Sequence, residues 1–224
     1  MSIPSLAAYA MPRQPVSNRV GWRPDARRAA LLIHDMQDYF LGKYDVTQAP
    51  IPDLIAAIDR LRKRCRDQGI PVFYTAQPPV QPEADRALLN DFWGPGLTAP
   101  AHQAGARIVP ALSPHPDDTV LTKWRYSAFQ RSDLRERLHA LGRDQLIITG
   151  VYAHIGCLAT ALEAFMQDIQ PFLAIDACAD FSPQDHHMAI THVAQRCGVS
   201  LTVDEILTAL ASNAAATFSR ETHA

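Results

Sequence analysis

Short apolar runs alternate with amphipathic stretches along most of this chain. Runs rich in branched and aliphatic residues lie at 29–33, 71–75, 118–122, 146–149, 172–175 and 199–203. Such runs are typical of strands that are buried on both faces of a parallel sheet. Strands that alternate with helices predict parallel βαβ units. The pattern therefore predicts an α/β protein with a three-layer αβα, Rossmann-like fold and a mostly parallel, six-stranded sheet.

The clearest strand-to-helix unit lies at residues 144–169. Residues 146–149 predict a buried strand, which we expect to end at Gly150. Apolar residues then recur at helical spacing, at Ile155, Leu158, Leu162, Phe165, Met166 and Ile169. In an open α/β sheet, ligands bind at the carboxyl ends of strands and near helix N-termini. We expect residues 152–157 at such an edge, although the same pattern also describes an ordinary structural connection.

The N-terminal part of the chain differs in pattern from the rest. Residues 1–27 are rich in proline and weakly patterned, so we expect an extended arm that lies on the domain. Residues 28–224 predict one domain with a full core. The segment 80–116 contains few strand signals, and a segment of that length inside a compact domain is usually functional or a lid.

Composition narrows the classes of partner. The 224 residues are 47% hydrophobic and carry a formal net charge of -2, so there is no basic footprint for nucleic acid. No apolar run is long enough to span a membrane, and the N-terminus lacks a signal-peptide pattern, which predicts a cytoplasmic protein. The four cysteines are far apart and form no C-x-x-C pair, so we expect free thiols and no metal site.

Polar residues at the strand ends are the candidates for chemistry. The carboxyl edge of the predicted sheet collects Asp35, Gln77, Lys123 and the turn at residues 152–156. An acid, a cation and backbone donors in one cleft suit hydrolysis. Each also has a structural interpretation, since Asp35 could cap a helix and most lysines are solvated. His34 should face away from Asp35, because neighbouring strand residues alternate faces.

Five segments in order carry a resemblance to a known family. They are H-D-M-Q-D-Y-F after the first strand, Y-T-A-Q-P after the second, D-F-W-G-P-G in the long segment, K-W-R-Y-S-A-F after the third, and G-V-Y-A-H-I-G-C at the turn. Together they resemble the isochorismatase family of the isochorismatase-like hydrolases, from about residue 22 to residue 205. The resemblance implies catalytic roles for Asp35 and Lys123. It implies substrate contacts for Phe40, Gln77, Arg86, Trp93, Tyr126, Tyr152 and Gly156.

The position of the nucleophile separates branches of that superfamily. The cysteine hydrolases carry their cysteine six residues after the strand-end glycine, which here is Gly156 and not Cys157. The true isochorismatases resemble this sequence, because they also carry glycine there. One residue along a helix turns a side chain by about 100°. We therefore expect the Cys157 thiol to point away from the cleft, although a thiol at a helix N-terminus can be reactive.

The implied reaction needs no side-chain nucleophile. Isochorismate carries an enolpyruvyl vinyl ether, and its hydrolysis needs a proton on the terminal vinyl carbon, followed by addition of water. The resemblance implies Asp35 as the general acid, a dicarboxylate substrate, no cofactor and no metal. The expected products are pyruvate and 2,3-dihydro-2,3-dihydroxybenzoate, as in siderophore biosynthesis. The alternative substrate is 2-amino-2-deoxyisochorismate, which is used in phenazine biosynthesis.

Two other functions fit the sequence less well. A cysteine amidohydrolase would use Cys157 with Asp35 and Lys123, but the register of the turn argues against it. A carrier or scaffold role is also disfavoured, because no carrier-domain serine motif follows the last predicted helix. The family resemblance further implies a homodimer, with the arm and the helix near Phe165 as candidate contacts.

Overall fold

Six strands form one sheet in the computed structural model, which describes residues 3–211. Residues 1–2 of the predicted arm and residues 212–224 of the predicted domain lie outside the described part. The strands are β1 (Ala29–His34), β2 (Val72–Ala76), β3 (Thr119–Thr122), β4 (Gln145–Val151), β5 (Gln170–Ala179) and β6 (Val199–Leu201). All neighbouring pairs are parallel, in the order β3-β2-β1-β4-β5-β6. The predicted six-stranded sheet is confirmed, and it is entirely parallel.

Helices cover both faces of the sheet. They are α1 (Asp38–Leu41), α2 (Ile51–Asp67), α3 (Glu83–Arg86), α4 (Leu89–Trp93), α5 (Leu134–Ala140), α6 (Leu158–Met166), α7 (Pro183–His192) and α8 (203–211). Leu31 and Ile33 of β1 belong to one buried cluster with α2 and α8. Ala30 and Leu32 belong to a second cluster with α5, α6 and α7. Alternate residues of one strand thus face opposite helical layers, which confirms the three-layer αβα prediction.

The long segment between β2 and β3 contains short helices. α3 and α4 are followed by 3₁₀ turns at Gly96–Thr98, Pro100–Ala106 and Pro110–Leu112. An isolated bridge joins Gln37 to Ile108. The segment lies beside the carboxyl ends of β1 and β2, where it can cover a site.

The N-terminal arm runs without helix or strand along the domain. The Leu6 amide donates to the Lys43 carbonyl at 2.7 Å, and the Arg19 amide donates to the Ala194 carbonyl at 2.9 Å. Met11 is buried in the core cluster that includes α2. Across residues 3–211, no helix combines the length and apolar character that crossing a membrane requires.

One expectation about the strand-to-helix unit is wrong. β4 does not end at Gly150 but continues to Val151, and Gly150 lies at an irregularity in the pairing with β5. The helix predicted after the turn is present as α6, and Phe165 and Met166 of its apolar stripe are 46% and 73% exposed. A π-helical turn at Ala153–Cys157 precedes α6 and alters the phase of that stripe. The buried face of α6 consists of Leu158 and small residues, namely Thr160, Ala161 and Ala164.

The fifth strand is longer than the sequence predicts. Apolar branched residues end at Ile175, but β5 continues through Asp176 to Ala179. Its last residues pair with β4, Cys178 with Gly150 and Ala179 with Val151. The extension carries the chain to Asp180 and Phe181, which reach the same edge of the sheet as Asp35.

Candidate active site

A cavity lies at the carboxyl ends of β1, β2 and β4. The chain runs from β1 outward to β3 and then returns to β4 on the other side of β1, so the cavity lies where the strand order reverses. All nine sequence-predicted site residues line it: Asp35, Phe40, Gln77, Arg86, Trp93, Lys123, Tyr126, Tyr152 and Gly156.

Asp35 follows β1 directly and is held in place by β2. Its backbone has a φ of 47°, and its amide donates to the Thr75 carbonyl at 3.2 Å. One carboxylate oxygen accepts the Thr75 hydroxyl at 2.7 Å. The other accepts the Lys123 ammonium at 2.8 Å. Asp35 is therefore not a helix cap, because its side chain is committed to this pair.

The Asp35–Lys123 pair is almost fully removed from water. The two side chains are 7% and 3% exposed, so Lys123 is not a solvated surface lysine. The Lys123 amide donates to the Ala76 carbonyl at 2.9 Å, which fixes the residue at the end of β3 beside β2. A buried carboxyl can transfer a proton, and a buried ammonium can stabilise developing negative charge. The pair thus brings acid–base and electrostatic groups to one point.

Close backbone contact between β1 and β4 fixes Gly150, shortly before the turn at residues 152–156. Gly150 has a φ of 104°, and a Cβ there would lie 2.1 Å from the His34 carbonyl oxygen. No other residue type fits that position without moving a strand. Six residues later, Gly156 lines the cavity. A Cβ at Gly156 would lie 3.3 Å from His34 Nδ1 and 3.4 Å from the Tyr126 carbonyl oxygen.

Cys157 does not line the cavity. Its side chain is fully buried in the core cluster on the α6 side of the sheet. The thiol lies 3.8 Å from the Thr149 carbonyl oxygen. The change of direction expected for one residue of helix is therefore present, and the thiol cannot reach a substrate held beside Asp35.

Arg86 presents a buried guanidinium that has no carboxylate partner among residues 3–211. The residue is 4% exposed, and burial lowers the pKa of its side chain. Nε donates to the Gly94 carbonyl at 2.8 Å, whereas Nη1 is buried with no hydrogen-bond partner in the described part of the chain. A desolvated cation with an unused donor is costly unless it meets an anion. Its place in the wall of the cavity suits a bound carboxylate.

Aromatic rings form much of the remaining wall. Trp93 Nε1 donates to the Tyr126 hydroxyl at 2.9 Å, which joins the long segment to the chain after β3. The Tyr152 hydroxyl donates to the Phe40 carbonyl at 3.0 Å, and burial raises the pKa of Tyr152. These rings leave an apolar surface around the polar pair.

The buried side chain of Gln37 holds the backbone of Gln77 in place. The Gln77 amide donates to the Gln37 side chain at 2.8 Å, and the Gln37 side chain donates back to the Gln77 carbonyl at 2.9 Å. Gln37 also donates to the Ala106 carbonyl at 2.6 Å. This clamp fixes the backbone of Gln77 at the cavity and ties the covering segment to β1.

Several cavity residues were missed by the sequence analysis. They are Ile3, Tyr39, Leu89, Gly96, Leu97, Arg125, Val151 and Phe181, whereas Ile155 belongs to the turn that was expected here. Tyr39 and Arg125 fall inside the segments that carry the resemblance, and this position in the motifs could have indicated that they line the site. Ile3 lies in the weakly patterned arm, and Phe181 follows a strand whose length was underestimated. Neither position has a local pattern that predicts a cavity wall.

The expectation that His34 faces away from Asp35 is wrong. His34 Nδ1 lies 4.0 Å from Asp35 Oδ1, because the chain leaves the extended strand conformation at Asp35, where φ is 47°. His34 is fully buried, and burial lowers its pKa well below the usual value. His154 pairs through Nδ1 with the Asp180 carboxylate, and its amide donates to the same carboxylate at 2.7 Å. Within residues 3–211, no group of three or more His, Cys, Asp or Glu side chains could hold a metal ion.

Comparisons with known proteins identify the family of this chain. The isochorismatase domain model matches residues 29–205. The chain is 51% identical over 209 residues to the isochorismatase of Bacillus subtilis (strain 168), covering 92% of this chain and 66% of that protein. It is 53% identical over 211 residues to enterobactin synthase component B of Escherichia coli (strain K12), covering 93% and 73% respectively.

A shorter relative matches over almost its whole length. The phenazine biosynthesis protein PhzD of Pseudomonas fluorescens is 49% identical over 212 residues, covering 92% of this chain and 98% of that protein. A solved cysteine hydrolase from Pseudomonas syringae pv. phaseolicola has the same fold, with a TM-score of 0.77 and 23% identity over 87% of this chain and 97% of that one. The family match and the identity of about half the residues lead to one conclusion: this chain belongs to the isochorismatase family.

Proposed function

We propose that this chain hydrolyses the enolpyruvyl vinyl ether of isochorismate to pyruvate and 2,3-dihydro-2,3-dihydroxybenzoate. The observation that carries the proposal is the cavity in which the buried Asp35–Lys123 pair meets a glycine at position 156. The cavity offers an acid and a cation but no thiol. The relatives named isochorismatase and enterobactin synthase component B support the same reaction.

Asp35 acts as the general acid in this proposal. Its proton passes to the terminal vinyl carbon, which becomes a methyl group and leaves an oxocarbenium ion. Water adds to that cation and releases a proton, which restores the acid. The resulting hemiketal then collapses to pyruvate and the ring alcohol. No covalent bond to the enzyme forms, which fits the burial of Cys157 outside the cavity.

The cations of the cavity select a dicarboxylate. The Arg86 guanidinium has a free donor at Nη1, so it pairs with one substrate carboxylate. A substrate carboxylate near Lys123 also weakens the hold of that ammonium on Asp35, which favours the protonated form of the acid. Trp93 and Tyr126 cover the ring of the bound substrate, and this cover keeps bulk water out of the cavity.

A second substrate has its own supporting observation. PhzD is 49% identical to this chain and matches it over 98% of its own length. The alternative substrate, 2-amino-2-deoxyisochorismate, differs from isochorismate by one amine in place of one hydroxyl. A site discriminates strongly only where the wrong ligand leaves a buried polar group unpaired.

The deciding experiment compares kcat/KM on both compounds, with pyruvate release as the signal. The proposal expects a higher value for isochorismate, and Asp35→Ala is the inactive control. A clear preference for the amino compound makes that compound the substrate. Release of no pyruvate from either compound rejects both functions.

We also propose a homodimer in the cytoplasm. Phe165 and Met166 form an exposed apolar pair on α6, which suits a subunit contact. The four cysteines are free thiols, in keeping with a reducing compartment. A monomer mass that does not change with concentration in analytical ultracentrifugation would exclude the dimer.

A further inference from the structure

A chain of buried hydrogen-bonding groups connects Asp35 to the Gly156 carbonyl through the interior of the protein. The Thr75 hydroxyl oxygen lies 2.7 Å from Asp35 Oδ1 and 3.2 Å from His34 Nδ1. On the other side of the imidazole, Nε2 lies 2.7 Å from the Thr160 hydroxyl oxygen. That hydroxyl lies 2.7 Å from the Gly156 carbonyl oxygen. The chain therefore has four links and connects the acid to the turn of the active site.

The two hydroxyl groups are also held by backbone donors. The Asp35 amide donates to the Thr75 hydroxyl oxygen at 3.2 Å, and the Ala128 amide donates to the Thr160 hydroxyl oxygen at 3.0 Å. His34, Thr75 and Thr160 are at most 1% exposed. Buried polar groups need protein partners, because water cannot replace a missing bond.

The number of protons in the chain depends on the state of Asp35. Burial and the Lys123 charge lower the pKa of His34, so the imidazole carries one N–H. With ionised Asp35, one N–H and the hydroxyls of Thr75 and Thr160 supply three protons for the four links. With protonated Asp35, the carboxyl donates to Thr75, Thr75 donates to Nδ1, Nε2 donates to Thr160, and Thr160 donates to the Gly156 carbonyl.

We propose that His34, acting through Thr75, is a positioning residue that stabilises the protonated form of Asp35. All four links of the buried chain are made only in that form. This inference rests on the proposed function, in which Asp35 is the general acid. It also counters the effect of Lys123, whose ammonium at 2.8 Å favours the ionised carboxylate. His34 thus helps Asp35 to keep its proton, although the Lys123 ammonium lies beside the carboxyl group.

Other charged and titratable groups surround the acid and set its pH dependence together with His34. They are Lys123 after β3, Tyr152 after β4, and Tyr39, Arg86, Arg125 and Tyr126 in the cavity wall. Variants that leave these groups in place isolate the contribution of the buried chain.

The test uses two variants of His34 and the pH profile of kcat/KM on isochorismate. His34→Leu removes the acceptor for the Thr75 hydroxyl, so the protonated form of Asp35 leaves a buried donor unpaired. The alkaline limb should move to lower pH by about one unit, which is about a tenfold change in the protonated fraction. His34→Asn places an amide near the position of Nδ1, and the limb should return towards that of the parent.

A purely structural role for His34 would lower activity in both variants without moving the limb. An unmoved limb in His34→Leu, or an equal shift in His34→Asn, overturns the proposal. If His34→Leu does not fold, ¹⁵N NMR of the parent decides. Below the alkaline limb, the His34 imidazole should be neutral with its proton on Nε2. A proton on Nδ1, or a charged ring, overturns the proposal even if the enzyme releases no pyruvate from isochorismate.

Discussion

Replacement of Arg86 by methionine should raise stability and lower substrate affinity at the same time. Arg86 is buried at the cavity, and within the residues that the structure describes its Nη1 has no hydrogen-bond partner and no carboxylate neutralises it. A buried donor without a partner costs about 1–3 kcal/mol. Methionine keeps an apolar stem of similar length and removes the donor. The change gives up the bond from Nε to the Gly94 carbonyl, which is worth about 1 kcal/mol.

The net expectation is a free energy of unfolding about 1 kcal/mol higher for Arg86→Met than for the parent. The loss in binding is larger than this gain. A hydrogen bond from a charged donor to a carboxylate contributes about 1.5–3 kcal/mol. KM for isochorismate should therefore rise by about 10- to 100-fold. The gain in stability and the loss of affinity have one cause, since the guanidinium is prepared for an anion that the free protein lacks.

Urea unfolding at neutral pH and steady-state kinetics of pyruvate release measure the two effects. The matched control is Arg125→Met, because Arg125 lines the same cavity but is paired. Its Nη1 donates to the Asp85 and Trp124 carbonyls at 2.8 Å and 2.7 Å. Arg125→Met should lower the free energy of unfolding by about 2 kcal/mol, at about 1 kcal/mol for each of the two bonds. Equal losses of stability in both variants, with an unchanged KM in Arg86→Met, would refute the reasoning.

Four further substitutions test the acid, the lysine, the buried thiol and a histidine beside the turn. Asp35→Ala should lower kcat by about 10²–10⁴-fold, with Lys123→Met also severely impaired; near-normal turnover in Asp35→Ala would remove the acid mechanism. Iodoacetamide and Cys157→Ala should leave turnover intact, because the thiol is buried outside the cavity, and rapid inactivation would revive a cysteine hydrolase. Burial lowers the pKa of His154, but its bond to Asp180 outweighs burial and the net pKa is raised from 6.5. The stability lost in His154→Gln should be greatest below about pH 6.5 and shrink as pH rises through the raised pKa, and equal losses in urea unfolding at pH 5.5 and 8.5 would contradict this assignment.

The sheet was predictable because most of its strands are short runs of apolar, mainly aliphatic and branched residues. β1 and the first residues of β4 are runs of aliphatic and branched side chains, and both faces of them are buried. The second half of β5 escaped prediction because Ala177, Cys178 and Ala179 carry no strand preference. Those residues extend a strand because β4 pairs with them and small side chains suit the buried position.

The contents of the cavity were predictable from the resemblance, but their contacts were not. The resemblance implied site roles for Asp35, Lys123 and Arg86, and all three line the same cavity. Sequence offers no means to see that Arg86 lacks a partner, or that a π-helical turn reorients α6. Both depend on how distant segments meet, so they emerge only from the packed chain.

The N-terminal arm has a practical consequence for anyone who assays this enzyme. Ile3 forms part of the cavity wall, although it stands near the start of the chain. A tag fused on the N-terminal side of the arm is therefore joined to a segment that borders the substrate site. Such a tag should be cleaved before kinetic constants are compared, because added residues at that point compete with substrate for access.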